Sequence, residues 1–426
     1  MTLKRAKAGG LPEAGPRAEA RAGDTLAFTL MVFYLMSTLT LALMAVVTPE
    51  LQEEFGFSAS QLGLLTSVFM FAYGAIGIPA GVAAARWGGR VLAISCAFFV
   101  LGSLVFALSS SYAGFTLGRL LQGLGGGMVV PVSSPIIARF LRPEARNRGW
   151  GVFASGKGLG ALVSLLAMPS VAALGGYRAV YLAAAVLSLV VGVVALAQKP
   201  VRAKPAETGE ATSLPALGRA LGAVAVNRRV LLLGLFNAAS LAVGTGVLIW
   251  TPDFLRAEYG TSVSVAAYLT AGLAIAQTVG APAGAIGAVR WGRMPVIAGS
   301  MIAMTIATAL VPVVGTMLAV FVVVMLVGLF SLAYFSPRFA MIPEVVARPE
   351  HVGPASGLIN ALGFVISMLA PWLFGLALDR GFGYSAGYLV LAAFGAAGVI
   401  GALFFKAPRP KPVPGAAEAG AEGEAG

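Results

Sequence analysis

Two basic residues stand inside apolar stretches long enough to cross a membrane: Arg119 in the run 112–138 and Lys157 in the run 149–172. A charge at membrane depth is costly and marks function by default. Two cations facing one cavity would draw in an anion. Each also has a plainer reading. Arg119 could bond backbone carbonyls of a neighbouring helix. Lys157, about two turns into its run, could snorkel to the near membrane face. Uncharged side chains able to bond a solute lie in these and other runs: Tyr34, Thr38, Tyr73, Gln122, Asn237, Gln277, Tyr334 and Asn360. Such residues also serve as glue between helices. Arg338, in Ser336-Pro-Arg-Phe339 near the end of its run, is a further candidate, with a positive anchor at the membrane face as the favoured reading.

Other chemistries lack their residues. No Asp or Glu falls in the middle of an apolar run; Glu50, Asp253, Asp379 and Glu344 stand at run ends. A proton relay built on buried carboxylates is therefore not expected, nor is an intramembrane enzyme. His351 is the lone histidine and lies in a loop, so no metal site or cofactor is expected. The lone Cys96 forms no intramolecular disulfide. Gly151-Val-Phe-Ala-Ser-Gly-Lys157 matches the start of a P-loop, but Gly158 replaces the required Ser/Thr and no strand precedes it, so ATP binding is rejected.

The elements that would position these residues follow from composition. Hydrophobic residues make up 58% of the 426 and charged residues only 11%, against roughly 25% charged in a soluble domain. The chain must therefore face lipid. A net charge of +12 raises nucleic acid as a partner, but the charges sit in short loops and no nucleic-acid-binding signature is present. Spanning needs about 20 apolar residues. Twelve runs qualify: 25–48, 60–84, 91–109, 112–138, 149–172, 178–197, 229–251, 264–288, 294–313, 316–341, 354–378 and 385–405. Residues 1–24 form a polar arm, with no signal peptide expected, 198–228 a polar linker and 406–426 a tail. Most of the 29 Lys and Arg fall in the arm, the linker, the tail and alternate loops; Arg178, Arg256 and Arg380 are the exceptions on the other side. That bias places both termini in the cytoplasm.

The chain is one half written twice. Gly77-Ile-Pro-Ala-Gly81 returns as Gly280-Ala-Pro-Ala-Gly284, and Arg86-Trp-Gly88 as Arg290-Trp-Gly292. A repeat of about 200 residues is too long for a solenoid unit and fits the two halves of a transporter. Residues 25–197 and 229–405 would be the two six-helix bundles. Gly is abundant at 55 residues, which suits close helix contacts in lipid. Pro79, Pro131, Pro135, Pro282, Pro337 and Pro371 predict kinks.

Gly81-Val-Ala-Ala-Ala-Arg-Trp-Gly-Gly-Arg90 resembles the signature Gly-x-x-x-Asp-Arg-x-Gly-Arg-Arg/Lys of the major facilitator superfamily. Gly81, Arg86, Gly88 and Arg90 are in register, and Arg290, Gly292 and Arg293 form a degenerate second copy. Arg119-Leu-Leu-Gln-Gly-Leu-Gly-Gly-Gly127 resembles a second signature, on helix 4. The resemblance implies an all-α fold with two pseudo-symmetric six-helix bundles and a cavity lined by the first helix of each three-helix unit. Tyr34, Thr38, Gln122, Asn237, Tyr334 and Asn360 would stand there, with Gln277 on helix 8. It also implies a conformational gate formed by the signature residues. Ala85 stands where the family carries Asp, so the outward-open state is expected to be latched less firmly or by other loop groups. The Gly-Pro of drug antiporters on helix 5 is replaced by Ser164-Leu165.

The expectation is thus a secondary active transporter of a small organic or inorganic anion across the cytoplasmic membrane. It would work as a monomer in the lipid bilayer, with its co-transported ion unassigned. Efflux of lipophilic compounds is the alternative, and a receptor on a transporter scaffold a more distant one.

Overall fold

The computed structural model describes residues 16–141, 143–198, 201, 214–346, 348 and 351–405, and contains no strand among them. The arm up to residue 15, most of the linker and the tail from residue 406 lie outside the described residues, as does the side chain of Ala85. In lipid every backbone N–H and C=O must be bonded internally, which a single apolar run achieves only as a helix.

Ten stretches are long and apolar enough to cross a membrane. One of them, Val152–Ala197, is broken at Gly175 and at Gly176, whose φ of 61° lies in the left-handed region, so it supplies two crossings. Tyr112–Phe140 supplies another. The count reaches the twelve expected. Span 1 is α1 (Pro16–Ala42) continued by α2 (Met44–Phe55), and spans 2 to 4 are α3 (Ala59–Trp87), α4 (Val91–Leu108) and α5 (Tyr112–Phe140). Spans 5 and 6 are the two parts of α6 (Pro143–Ala197). A short α7 (Leu214–Ala225) precedes span 7, α8 (Arg228–Tyr259). Spans 8 and 9 are α9 (Val263–Trp291) and α10 (Arg293–Leu310). Span 10 joins α11 (Met317–Ala333) to α12 (Phe335–Val345), span 11 joins α13 (Val352–Ser367) to α14 (Leu369–Asp379), and span 12 is α15 (Gly383–Phe404).

The breaks within spans 10 and 11 have one cause. Proline has no N–H for the carbonyl four residues back. Pro337 leaves Ala333 unbonded and α11 ends there; Pro371 leaves Ser367 unbonded and α13 ends there. Pro79 and Pro282, by contrast, lie inside unbroken helices.

Spans 2 and 11 run antiparallel across the boundary between the halves. We call the end of the bundle that holds Phe55, Ala59 and Asp379 the far end, and its opposite the terminal end. At the far end the two helices touch backbone to backbone. A Cβ at Gly375 would strike the Ala59 carbonyl, and one at Gly63 the Pro371 carbonyl. Asp379 clasps the start of span 2, accepting from the amides of Ala59 and Ser60 at 2.9 Å each. Ser67 Oγ donates to Met368 O, and Arg256 of span 7 pairs with Glu53 of span 1 at 3.4 Å. Toward the terminal end the contact thins. A Cβ at Gly74 would meet Phe364 at 2.9 Å and one at Gly357 would meet Ile78 at 3.8 Å; Gly77 and Gly353 have nothing within 4 Å. The halves are closed at the far end and diverge from it.

Candidate substrate site between the two halves

The break at Pro337 sets the site. Tyr334 occupies the turn between α11 and α12, and Arg338 follows one turn later. Arg338 is fully buried, and its Nε, Nη1 and Nη2 find no acceptor among the described residues. Its guanidinium lies against rings of its own segment, with centroids at 4.5 Å for Phe339, 5.3 Å for Phe335 and 5.5 Å for Tyr334. Lys157 of span 5, in the other half, lies within electrostatic range of Arg338. It is half-buried and makes no hydrogen bond or ion pair with the described residues. The reading of Arg338 as an anchor at a membrane edge is therefore corrected: its own helix turns at Pro337 and carries it into the protein interior.

Five other predicted residues stand on the surrounding spans. Tyr34 of span 1 lies within electrostatic reach of Arg338, Tyr334 and Tyr73. Its ring stacks on Phe153 at 4.9 Å, one turn before Lys157 on span 5 and on the same face. Tyr334 donates its hydroxyl to Asn237 Oδ1 at 2.8 Å, and Asn237 Nδ2 donates to Ile359 O at 3.3 Å, tying spans 7, 10 and 11. Asn360, next to Ile359, is half-buried and makes no hydrogen bond with the described residues. Tyr73 stacks on Phe364 across the halves at 4.0 Å. No carboxylate among the described residues answers the two cations; buried Asp253 lies toward the far end and accepts from the Tyr384 hydroxyl at 2.7 Å. An uncompensated buried charge is strongly destabilising, and a second cation beside it adds repulsion. The arrangement is complementary to an anion, with a planar fork from one half and a point charge from the other.

The remaining predicted residues bind the bundles together. Arg119 is fully buried in the first half. It donates to Thr40 O at 2.7 Å, Gln122 Oε1 at 3.0 Å and Leu65 O at 3.4 Å, and lies 4.6 Å from the Phe69 ring centroid. Gln122 passes the chain on to Ser103 Oγ at 3.0 Å. One network thus spans the first four helices, which is the carbonyl-bonding role weighed above. Thr38 donates to Tyr34 O at 3.3 Å, and Gln277 donates to Ser331 Oγ at 3.3 Å within the second half.

The profile of the Major Facilitator Superfamily matches residues 26–289 and again 243–424, nearly the whole sequence. The chain belongs to this superfamily. It is a multi-pass membrane transporter and not an enzyme. A 140-residue stretch is 31% identical to the uncharacterized MFS-type transporter YhcA of Bacillus subtilis (strain 168), covering 33% of this chain and 26% of that protein. Two other relatives align almost end to end. The hexuronate transporter of the same bacterium is 24% identical over 400 residues, covering 88% of this chain and 94% of the relative. The probable sulfoacetate transporter SauU of Cupriavidus necator is 23% identical over 397 residues, covering 88% and 92%. In fold the chain is similar to the crystal structure of a bacterial homolog to the human lysosomal transporter Spinster, in an inward-facing and unoccupied conformation. The TM-score is 0.72 at 17% identity, covering 92% of this chain and 96% of that one.

The superfamily signature residues sit at the terminal end. Arg86 and Arg90 are exposed and form no ion pair with the described residues. Gly88 takes φ 61° and Gly292 φ 89° at the ends of spans 2 and 8, conformations that suit glycine. Gly81 is 4.0 Å from Pro131 by its absent Cβ. Arg290 is exposed beside the ring of Trp291 at 5.7 Å. Arg293 pairs with Glu344 and donates to Ala340 O at 3.5 Å, both in its own half. These groups bridge no gap between the halves, in keeping with divergence at that end.

Proposed function

We propose that the protein is a secondary active transporter of a small organic anion, working by alternating access around Lys157 and Arg338. One observation carries the reading. Arg338 buries three donors for which the described residues offer no acceptor, and Lys157, in the opposite half, lies within electrostatic range of it. An anion between them would satisfy both and tie the halves together at mid-membrane. Tyr34, Asn237, Tyr334 and Asn360 complete the site, and the two halves are residues 25–197 and 229–405. Rocking about the far-end contacts would expose this site to one side and then the other. The anionic substrates in the names of the two full-length relatives support the class; lipophilic efflux finds no such support. The basic loops support a reading with both termini on the cytoplasmic side of the cell membrane, and we take the monomer as the working unit. With no carboxylate beside the cations among the described residues, we favour coupling through the substrate's own charge over a carboxylate relay.

Flux into proteoliposomes tests this. Hexuronate, sulfoacetate and a panel of simple carboxylates are offered to the wild type and to Arg338→Gln and Lys157→Gln. Saturable anion uptake, lost in both variants, is the expected result. Uptake of lipophilic cations alone, equal in all three proteins, would sink the proposal.

A further inference from the structure

The polar groups around the two cations are few, and most are already engaged. Asn237 spends its amide on Tyr334 and Ile359 O. Gln277 is bonded to Ser331 and Gln122 to Arg119 and Ser103. Beyond the charges, the predicted residues that make no hydrogen bond with the described residues are Tyr34, by its hydroxyl, and Asn360, by its amide. The wall is aromatic instead. Tyr34 stacks on Phe153 with rings 12° from parallel, Tyr73 stacks on Phe364 at 25°, and Phe335 and Phe339 pack together beneath the guanidinium at 4.7 Å. Phe153 lies one helical turn from Lys157, and Phe364 one turn from Asn360. Rings of span 10 therefore lie against Arg338, Phe153 stands one turn from Lys157 on span 5, and the Tyr73–Phe364 pair bridges spans 2 and 11.

A polyhydroxylated acid fits such a wall poorly. Each hydroxyl moved from water into it needs a partner, and an unpaired one is costly. Those two groups cannot serve four or five hydroxyls. A flat apolar body gains from the same rings by stacking and loses nothing. From this we infer that the substrate is an aromatic carboxylate, its carboxylate held by Arg338 and Lys157 and its ring against Tyr34 and Phe364. The inference rests on the anion reading above. It sets this site apart from the hexuronate named for the full-length relative.

The test is ligand-dependent thermal stabilisation and isothermal titration on detergent-purified full-length protein, with benzoate, cyclohexanecarboxylate, glucuronate and sulfate as probes. Stabilisation follows from binding to the folded state alone. Benzoate is expected to bind at least about tenfold more tightly than glucuronate, the ratio one or two good ring contacts supply. Cyclohexanecarboxylate should fall between them. Arg338→Gln should abolish benzoate binding, and Phe364→Leu should weaken it several-fold with sulfate unaffected. Tighter binding of glucuronate or sulfate, still dependent on Arg338, overturns the aromatic inference and leaves the anion reading standing. Binding of every probe equally by wild type and Arg338→Gln overturns both. If Arg338→Gln does not fold, competition of benzoate against glucuronate on the wild type decides the aromatic question alone.

Discussion

Arg119 and Arg338 are both fully buried arginines, yet replacing them with methionine should change stability in opposite directions. Arg338 buries three donors without an acceptor among the described residues. Each orphaned donor costs about 1–3 kcal/mol. Stacking on its aromatic neighbours, the nearest centroid 4.5 Å away, returns about 2 kcal/mol. Methionine fills much of the same volume and removes the unmet charge. Arg338→Met should therefore stabilise the substrate-free protein by at least about 1 kcal/mol, as replacement of buried charges by apolar groups often does. Arg119 has the opposite balance: only its Nη2 lacks an acceptor among the described residues. Its three hydrogen bonds join Thr40 O, Leu65 O and Gln122, and losing them should destabilise by about 1–3 kcal/mol. Thermal unfolding of both variants in one detergent without added anion reads the two signs side by side. Proteoliposome uptake completes the contrast: Arg338→Met should lose transport by about a hundredfold or more, the scale of removing a charge that grips its ligand. If Arg338→Met melts below the wild type by as much as Arg119→Met, Arg338 is a structural group with protein partners and the site described above is wrong.

Lys157→Gln should weaken anion binding by about ten- to a hundredfold while leaving the melting temperature without ligand unchanged or higher; titration of the purified variant checks this, and unaltered affinity would remove Lys157 from the site. Asp379→Ala removes both acceptors at the start of span 2, a loss of about 1–2 kcal/mol, so the population open at the far end should grow about five- to thirtyfold. Spin labels on the far-end loops would report that shift as a longer distance between halves, and an unmoved distribution would show that Asp379 holds nothing closed. Gly375→Leu places a side chain against the Ala59 carbonyl and should favour the same opening; a variant that keeps the wild-type distances contradicts the close packing.

The spans were legible because lipid leaves few choices. An apolar run of about 20 residues must become a helix, and the proline rule located two of the breaks at Pro337 and Pro371. The centre of the site was legible in part. Tyr34, Lys157, Asn237 and Tyr334 follow from polar residues standing in apolar runs. Arg338 did not, because its distance from the end of its run measures depth only along a straight helix, and Pro337 bends this one. A basic residue directly after an intramembrane proline was the available signal. Arg119 stood at a depth where either role was open. What decides it is the placement of Thr40 O and Leu65 O, and backbone carbonyls carry no residue type to read. The clasp by Asp379 was legible only as a carboxylate at a helix end. Its partners are two amides more than 300 residues away.

The thinning contact between spans 2 and 11 makes span 2 a lever with its fulcrum near Gly63. From Gly63 to Gly77 the helix runs about 21 Å. A swing of about 10° about the fulcrum carries Gly77 sideways by about 4 Å over that arm, and the space around Gly77 and Gly353, where no atom stands within 4 Å of a Cβ, leaves room for such a movement. The space at these two glycines is then the stroke of the machine, used up when the terminal end shuts. A bulky residue at Gly77 would touch nothing in the state described here, yet would act as a stop at the end of the swing. Such a carrier would fold and bind from one side, and jam before delivering to the other.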